Sequence, residues 1–307
     1  MPMTRPVRRT LAATAAVAAA LVLAGCPAQE AKEEPVVTPA NWRESGDGGD
    51  GIAYVALGDS YVTAPGVPQT DANNPCFPSS NNYPALVAAE LEVATLVDAS
   101  CGGASTVHMS ESQGPGRPPQ FDALDEETDL VTITIGGNDE GVFASLLTDC
   151  VVIAQEFGEG SPCREIKEGD DDKSLLAKVE ASTRRVDAVL AGIVERAPNA
   201  LVVVVGYPQL APASGACPDR FPITEGDMAY ARELNVAFNT ALAEAAANHG
   251  AEFVDMFALS EGHDICADDP WVNGAVDLPD RAAAYHPFAA EQEAAAAAVV
   301  EVVRQAG

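Results

Sequence analysis

Leu201-Val202-Val203-Val204-Val205 gives the strongest indication of the fold class, because five consecutive aliphatic residues leave no polar face. A strand that is apolar on both faces is typical of a parallel sheet covered by helices on both sides. Four further apolar runs have strand character: Ile52–Leu57, Ala94–Val97, Leu130–Ile135 and Glu252–Met256. The five runs together predict a five-stranded sheet.

Helical patterns separate these runs. They cover residues Tyr83–Glu92, a 3.6-residue apolar repeat from Leu175 to Val194, Met228–His249, and a last helix from Pro287 to near Arg304 with proline at its first position. Strands that alternate with helices predict an α/β fold with an open parallel sheet. In such a sheet the functional site lies where the C-terminal ends of the strands open into loops.

The N-terminus has the features of an export signal. Three arginines precede an uncharged run from Leu11 to Gly25, which is shorter than the roughly 20 apolar residues of a spanning helix. The run ends in Leu23-Ala24-Gly25-Cys26, which resembles a bacterial lipobox, so we expect residues 1–25 to be a lipoprotein signal peptide and Cys26 to be lipidated. The alternative is ordinary secretion. Either way we expect the protein outside the cell membrane.

The composition separates a tether from a folded domain. Residues 26–50 are rich in Pro, Gly, Glu and Asp, which is typical of a flexible tether, and residues 51–307 suffice for one α/β domain. Loss of residues 1–25 removes three of the 17 basic residues and none of the 46 acidic ones, which leaves a charge of −32. So acidic a surface repels nucleic acid, and we expect no nucleic-acid partner.

Six cysteines remain once Cys26 is set aside. An even number in an exported chain favours three disulfides, and six cysteines allow 15 pairings. Because the cysteines fall in loops that follow successive strands, we expect sequential pairing: Cys76–Cys101, Cys150–Cys163 and Cys217–Cys266.

Four short motifs carry candidate chemistry. Ser60 of Gly58-Asp59-Ser60-Tyr61 directly follows the first strand, although a serine at that place is also a common helix N-cap. The other three are Cys101-Gly102-Gly103-Ala104 after strand two, Gly136-Gly137-Asn138-Asp139 after strand three, and Tyr285-His286-Pro287 before the last helix. They supply a nucleophile, a backbone donor, an amide donor and a base at one edge of the sheet.

These four blocks, in this order, resemble those of the SGNH/GDSL hydrolases over residues 51–307. The six cysteines and Trp271-Val272-Asn273-Gly274 resemble the secreted actinobacterial lipase/esterase branch. The resemblance implies a three-layer α/β/α flavodoxin-like fold. It also implies an oxyanion hole formed by the Ser60 N–H, the Gly103 N–H and the Asn138 side-chain amide.

The base is His286, and its orienting partner departs from the family pattern. Many members carry aspartate three residues before the histidine, where this chain has Ala283. We therefore expect a Ser60–His286 dyad in which the carbonyl of Ala283 holds the imidazole, with Asp277 and Asp280 as alternatives. We also expect the dipole of the last helix to disfavour protonation of His286.

The function that these residues favour is a serine carboxylic ester hydrolase, a lipase or esterase that needs neither metal nor cofactor. A carbohydrate O-deacetylase of the same family is the alternative enzyme, and a surface lipoprotein that only binds ligands is the non-enzymatic one. Partners are a small-molecule or lipid ester and, through Cys26, the membrane, and we expect a monomer. Acyl-chain length, natural substrate and the presence of a lid stay open.

Overall fold

The five apolar runs form one parallel sheet with the strand order β2-β1-β3-β4-β5. The computed structural model describes residues 51–171 and 174–307, which belong to one compact unit. The strands are β1 Ala53–Gly58, β2 Thr95–Asp98, β3 Leu130–Thr134, β4 Leu201–Val205 and β5 Glu252–Val254. Each lies within two residues of its predicted ends. The predictions for residues 1–50, including the signal peptide, the tether and Cys26, lie outside the described residues.

Helices cover both faces of the sheet. They are α1 Ser60–Thr63, α2 Tyr83–Glu90, α3 Val142–Ala144, α4 Cys150–Phe157, α5 Pro162–Glu168, α6 Leu175–Arg196, α7 Glu225–Asn248, α8 Met256–Leu259 and α9 Ala289–Ala306. A π-helical turn, Ser145–Asp149, joins α3 to α4. Among the described residues no single helix has the length and apolar composition of a membrane span; the bent pair Asp139–Phe157 and Pro162–Glu168, which turns by 120°, meets both criteria together.

The helical layers on both sides of β4 explain why Leu201–Val205 has no polar face. Val202 and Val204 belong to the core on one side of the sheet, with α6 and α7. Leu201, Val203 and Val205 belong to the core on the other side, with α2 and α9. The predicted three-layer α/β/α architecture is therefore confirmed.

Three disulfides fasten the loops. They join Cys76 to Cys101, Cys150 to Cys163 and Cys217 to Cys266, which is the sequential pairing expected. The first ties the loop after β1 to the loop after β2, and the second links α4 to α5.

The last helix begins later than the sequence suggests. It starts at Ala289 with Phe288 as its N-cap, so Pro287 is not its first residue. The reason is a pairing with the Trp271 segment: Pro287 forms a bridge to Val272, and the Phe288 N–H donates to the Trp271 carbonyl at 2.8 Å. His286 consequently lies three residues before the first helical residue, and the expectation that it stands at the N-terminus of the helix, where the dipole would act on it, was wrong.

Candidate active site

Ser60 is the first residue of α1, two residues after the glycine that ends β1. Gly58 has φ +140°, and a Cβ there would lie 2.4 Å from the Thr134 carbonyl oxygen, so only glycine allows the strand to turn at this point. Asp59 is the N-cap and accepts the Tyr61 N–H at 2.9 Å. The N-cap is therefore Asp59 and not Ser60, which leaves the Ser60 side chain without a capping role.

The Ser60 hydroxyl makes no hydrogen bond to any of the described residues, His286 included. The same is true of the Ser60 N–H, which stands at the start of a helix where no intrahelical acceptor exists. Catalytic hydrogen bonds commonly shorten only when substrate is bound. What the fold provides is a serine whose hydroxyl and N–H both remain available to a ligand.

His286 is held beside this turn by Tyr61. The two rings lie 5.8 Å apart between centroids, and the Tyr61 hydroxyl donates to the Tyr285 carbonyl at 2.8 Å. Tyr61 directly follows Ser60 in the chain, so contacts over more than 220 residues bring the segment of His286 to the nucleophile turn. Gln292 of α9 reinforces the junction by donating to the Tyr61 carbonyl at 3.0 Å.

The imidazole is oriented by a backbone carbonyl, and the carbonyl is that of Ala284. His286 Nδ1 lies 2.7 Å from the Ala284 oxygen. Because a carbonyl only accepts, Nδ1 carries the proton, and the neutral ring has its lone pair on Nε2. The expectation of Ala283 was wrong, since its carbonyl is occupied by Asn273 Nδ2 at 3.0 Å and by the His286 N–H at 3.2 Å.

Burial tunes His286 toward the neutral form. Removal from water lowers the pKa of His286 below its ordinary value, while the Ala284 carbonyl and the charge of Asp277 act in the opposite direction. The expected direction of the shift holds, and burial is its largest cause.

The loop that contains Gly103 and the loop that contains Asn138 are joined by a direct hydrogen bond. Asn138 Nδ2 donates to the Ala104 carbonyl at 2.8 Å, and this ties the loop after β3 to the loop after β2. Gly103 has φ +73°, a left-handed conformation that favours glycine. Its N–H donates to none of the described residues. The second N–H of the Asn138 amide and the Gly103 N–H thus remain as donors on adjacent loops.

A buried hydrogen-bond network joins the turn that carries Ser60 to the loop that carries Asn138. The Tyr207 hydroxyl donates to Asp59 Oδ2 at 2.5 Å and accepts the Gly137 N–H at 3.0 Å. Burial raises the pKa of Asp59 to about 7, although the bonds from Tyr207 and the Tyr61 N–H oppose the shift. Nothing in the sequence pointed to Tyr207, which follows β4 and is 148 residues from its partner.

Asp139 is a second buried carboxylate in a structural role. It accepts the N–H and the hydroxyl of Thr106 at 2.8 and 2.6 Å, and the Ser182 hydroxyl at 3.2 Å. Through these bonds Asp139, which follows Asn138, holds both Thr106, which lies just after the Gly103 loop, and Ser182 of α6. Sequence reasoning quoted Asp59 and Asp139 within their motifs without giving them a role.

The comparisons with known proteins agree with this geometry. Residues 56–294 match the GDSL-like Lipase/Acylhydrolase family. Lipase 2 of Streptomyces coelicolor is 36% identical over 263 residues, which cover 84% of this chain and 84% of the relative.

Two solved structures are similar over most of this chain. Phospholipase A1 from Streptomyces albidoflavus NA297 has a TM-score of 0.68 and 32% identity, with 84% of this chain and all of that one covered. The extracellular lipase from Streptomyces rimosus has a TM-score of 0.68 and 31% identity, with coverage of 83% and 100%. The chain therefore belongs to the GDSL-like lipase/acylhydrolase family and is a carboxylic ester hydrolase.

Proposed function

We propose that this hydrolase works through an acyl-enzyme on Ser60, with His286 as the general base. The observation that carries the proposal is the bond between His286 Nδ1 and the Ala284 carbonyl, because it leaves the basic lone pair on Nε2. The lowered pKa of His286 keeps the ring neutral near pH 7, as a base must be.

The reaction has two balanced halves. Ser60 Oγ attacks the ester carbonyl while its proton passes to His286 Nε2, and the tetrahedral adduct then expels the alcohol, which takes that proton. Water next attacks the acyl-enzyme and gives a proton to the same nitrogen. Collapse of the second adduct releases the carboxylic acid and returns the proton to Ser60.

The negative charge of each adduct falls on the former carbonyl oxygen. We propose that the Ser60 N–H, the Gly103 N–H and the Asn138 amide stabilise it. The support is that both backbone N–H groups have no partner among the described residues. The Asn138 amide uses only one of its two N–H groups in its bond to Ala104. Donors that are already oriented need no rearrangement when the charge develops.

A cavity beside the histidine segment has both apolar and charged side chains in its wall, and none of Ser60, Gly103, Asn138 and His286 belongs to that wall. It has a volume of about 420 Å³, and Phe288, two residues after His286, is part of its wall. Other apolar residues of this wall are Ile265, Val272, Val276 and Leu278, and its charged residues are Asp219, Arg220, Asp268 and Arg281. Fatty-acyl esters, including phospholipids, are the substrate class that we propose, and the support for it is the lipase and phospholipase names of the relatives rather than this cavity.

A series of p-nitrophenyl esters from acetate to decanoate tests this assignment. We expect kcat/KM to rise from acetate to octanoate, and Ser60→Ala to abolish turnover while the exposed-serine control Ser80→Ala retains it. A maximum at acetate would favour the carbohydrate O-deacetylase instead. Full activity of Ser60→Ala would contradict the acyl-enzyme on this serine.

We further propose that the enzyme acts outside the cell as a lipid-anchored monomer without a nucleic-acid partner. Support comes from Leu23-Ala24-Gly25-Cys26 after an apolar run, from the net charge of −29, and from the extracellular lipase among the relatives. Cys26→Ser should move the protein from the membrane to the soluble fraction. Equal partitioning of Cys26→Ser and the unchanged protein would contradict the anchor, and sedimentation of the released form tests the monomer.

A further inference from the structure

The orienting carbonyl of His286 belongs to a residue that is itself held by a carboxylate. Asp277 Oδ1 accepts the Ala284 N–H at 2.7 Å, and the Ala284 carbonyl lies 2.7 Å from His286 Nδ1. Ala284 is thus hydrogen-bonded through its N–H to the carboxylate and through its carbonyl to the imidazole. A carboxylate is present near the base, but it acts through a backbone segment instead of touching the ring.

The local fold keeps Asp277 in place for this contact. Leu278 and Ala282 exchange hydrogen bonds of 3.0 and 3.1 Å, which closes a tight antiparallel turn directly after Asp277. Inside the loop, Asn273 Nδ2 donates to the carbonyls of Val276, Ala282 and Ala283 at 2.8, 3.1 and 3.0 Å. The position of the carboxylate relative to Ala284 is therefore set by the turn and by Asn273.

Asp277 is the charged group that acts on the imidazole among the described residues. The other titratable neighbours are Tyr61, whose ring lies 5.8 Å away, and Tyr285, whose carbonyl accepts the Tyr61 hydroxyl. Burial raises the pKa of both tyrosines, so both stay neutral where an esterase works. The charge of Asp277 raises the pKa of His286, and a charge that favours imidazolium also stabilises the state that forms during attack.

We infer that Asp277 is a positioning residue for His286: it fixes the Ala284 backbone that holds Nδ1 and supplies, at a distance, the negative charge that a triad aspartate supplies by contact. The inference rests on the proposed function of Ser60 and His286. In a catalytic triad one aspartate both orients the histidine and stabilises the imidazolium. Here the Ala284 carbonyl selects the tautomer, and the remote Asp277 carboxylate balances the positive charge of the imidazolium.

Three variants separate these contributions. Asp277→Asn keeps an oxygen that accepts the Ala284 N–H but removes the charge, whereas Asp277→Ala removes both. Asp280→Asn is the matched control for charge, because Asp280 lies three residues further on, is exposed as Asp277 is, and has φ +57°, a conformation that asparagine tolerates. Equal urea midpoints for all three would show that the loop still folds.

In kinetics with p-nitrophenyl butyrate we expect Asp277→Asn to lower kcat about tenfold at unchanged KM, less than the roughly 10⁴-fold loss seen when a directly bonded triad aspartate is neutralised. Asp277→Ala should lose more, and Asp280→Asn should stay within about twofold of the unchanged enzyme. The acid limb of kcat/KM should move to lower pH in Asp277→Asn. Equal kcat in Asp277→Asn and Asp280→Asn, or a loss confined to KM, would overturn the inference.

A readout without substrate keeps this test independent of the proposed function. In protein labelled with ¹⁵N-histidine, with the ring signal assigned by its loss in His286→Gln, the pKa of His286 should fall in Asp277→Asn and not in Asp280→Asn. This shift would support the positioning role even if Ser60→Ala showed that Ser60 is not the nucleophile. An unchanged His286 pKa in Asp277→Asn would overturn the role even if ester hydrolysis by Ser60 is demonstrated.

Discussion

Replacement of Asp59 by asparagine should change how the stability of the protein depends on pH. Asp59 is 1% exposed, accepts hydrogen bonds from Tyr207 and the Tyr61 N–H, and has its pKa raised to about 7 by burial. Asparagine keeps an oxygen that accepts the Tyr61 N–H and, like protonated Asp59, is neutral, although its NH2 group has two donors where the protonated carboxyl has one. The Asp59→Asn variant therefore imitates the protonated state at every pH.

The magnitude follows from proton linkage. The pKa of Asp59 is near 7 in the folded protein and 3.8 in an ordinary environment, so between these values the folded state binds more protons than the unfolded state. Stability from this residue is therefore fully present below pH 3.8 and is lost as the pH rises through 7. At about 1.4 kcal/mol for each pKa unit, the loss amounts to about 4 kcal/mol between pH 4 and pH 8.

Urea unfolding at intervals from pH 4 to pH 8, with the disulfides intact, measures this loss. The free energy of unfolding of the unchanged protein should fall by about 4 kcal/mol relative to Asp59→Asn across that range. Glu291, whose pKa burial raises to about 8, titrates in both proteins, so its contribution cancels in the difference. Parallel stability curves, or a gap that widens in the other direction, would contradict a raised pKa of Asp59 in the folded protein.

Three further predictions concern the donors, the base and one disulfide. Asn138→Ala should lower kcat by about 10²- to 10³-fold with little change in KM, because its amide acts on the developing oxyanion; a change in KM alone would count against that role. The acid limb of the kcat/KM–pH profile should have a midpoint below 6.5, since burial lowers the pKa of His286, and a midpoint above 7 would contradict this. Replacement of Cys150 and Cys163 by serine should cost about 3 kcal/mol in urea unfolding and leave kcat within about twofold, because that bridge joins α4 to α5 and not the site loops.

The sheet and the places of the four motifs relative to its strands and last helix were predictable because their signals are local. Leu201–Val205 has no polar face, so the sequence alone places it between two helical layers. Ser60 and Asn138 follow apolar runs at short distance, and parallel strands bring such positions to one edge. The sequential disulfides followed from the same rule.

The details that failed depend on backbone dihedrals and on distant partners. The Ala284 carbonyl, and not that of Ala283, faces the imidazole, and the next residue, Tyr285, has a φ of +59°. No sequence motif predicts this dihedral angle. The start of α9 at Ala289 is decided by the pairing of Pro287 with Val272, which competes with the helix.

The network of Asp59 with Tyr207 joins residues 148 positions apart, and a single sequence contains no signal of that separation. Asp277 could be named as a nearby carboxylate, but its contact with the Ala284 N–H depends on the turn closed by Leu278 and Ala282.

The most direct test of Ser60 as the nucleophile is the reaction of the protein with a fluorophosphonate, followed by intact mass measurement and peptide mapping. We expect one adduct per chain, located on Ser60, absent in Ser60→Ala and retained in Ser80→Ala. His286→Gln should slow the labelling strongly, because the base that removes the Ser60 proton is missing. An adduct on another residue, or labelling of Ser60→Ala at the rate of the unchanged protein, would contradict Ser60 as the nucleophile.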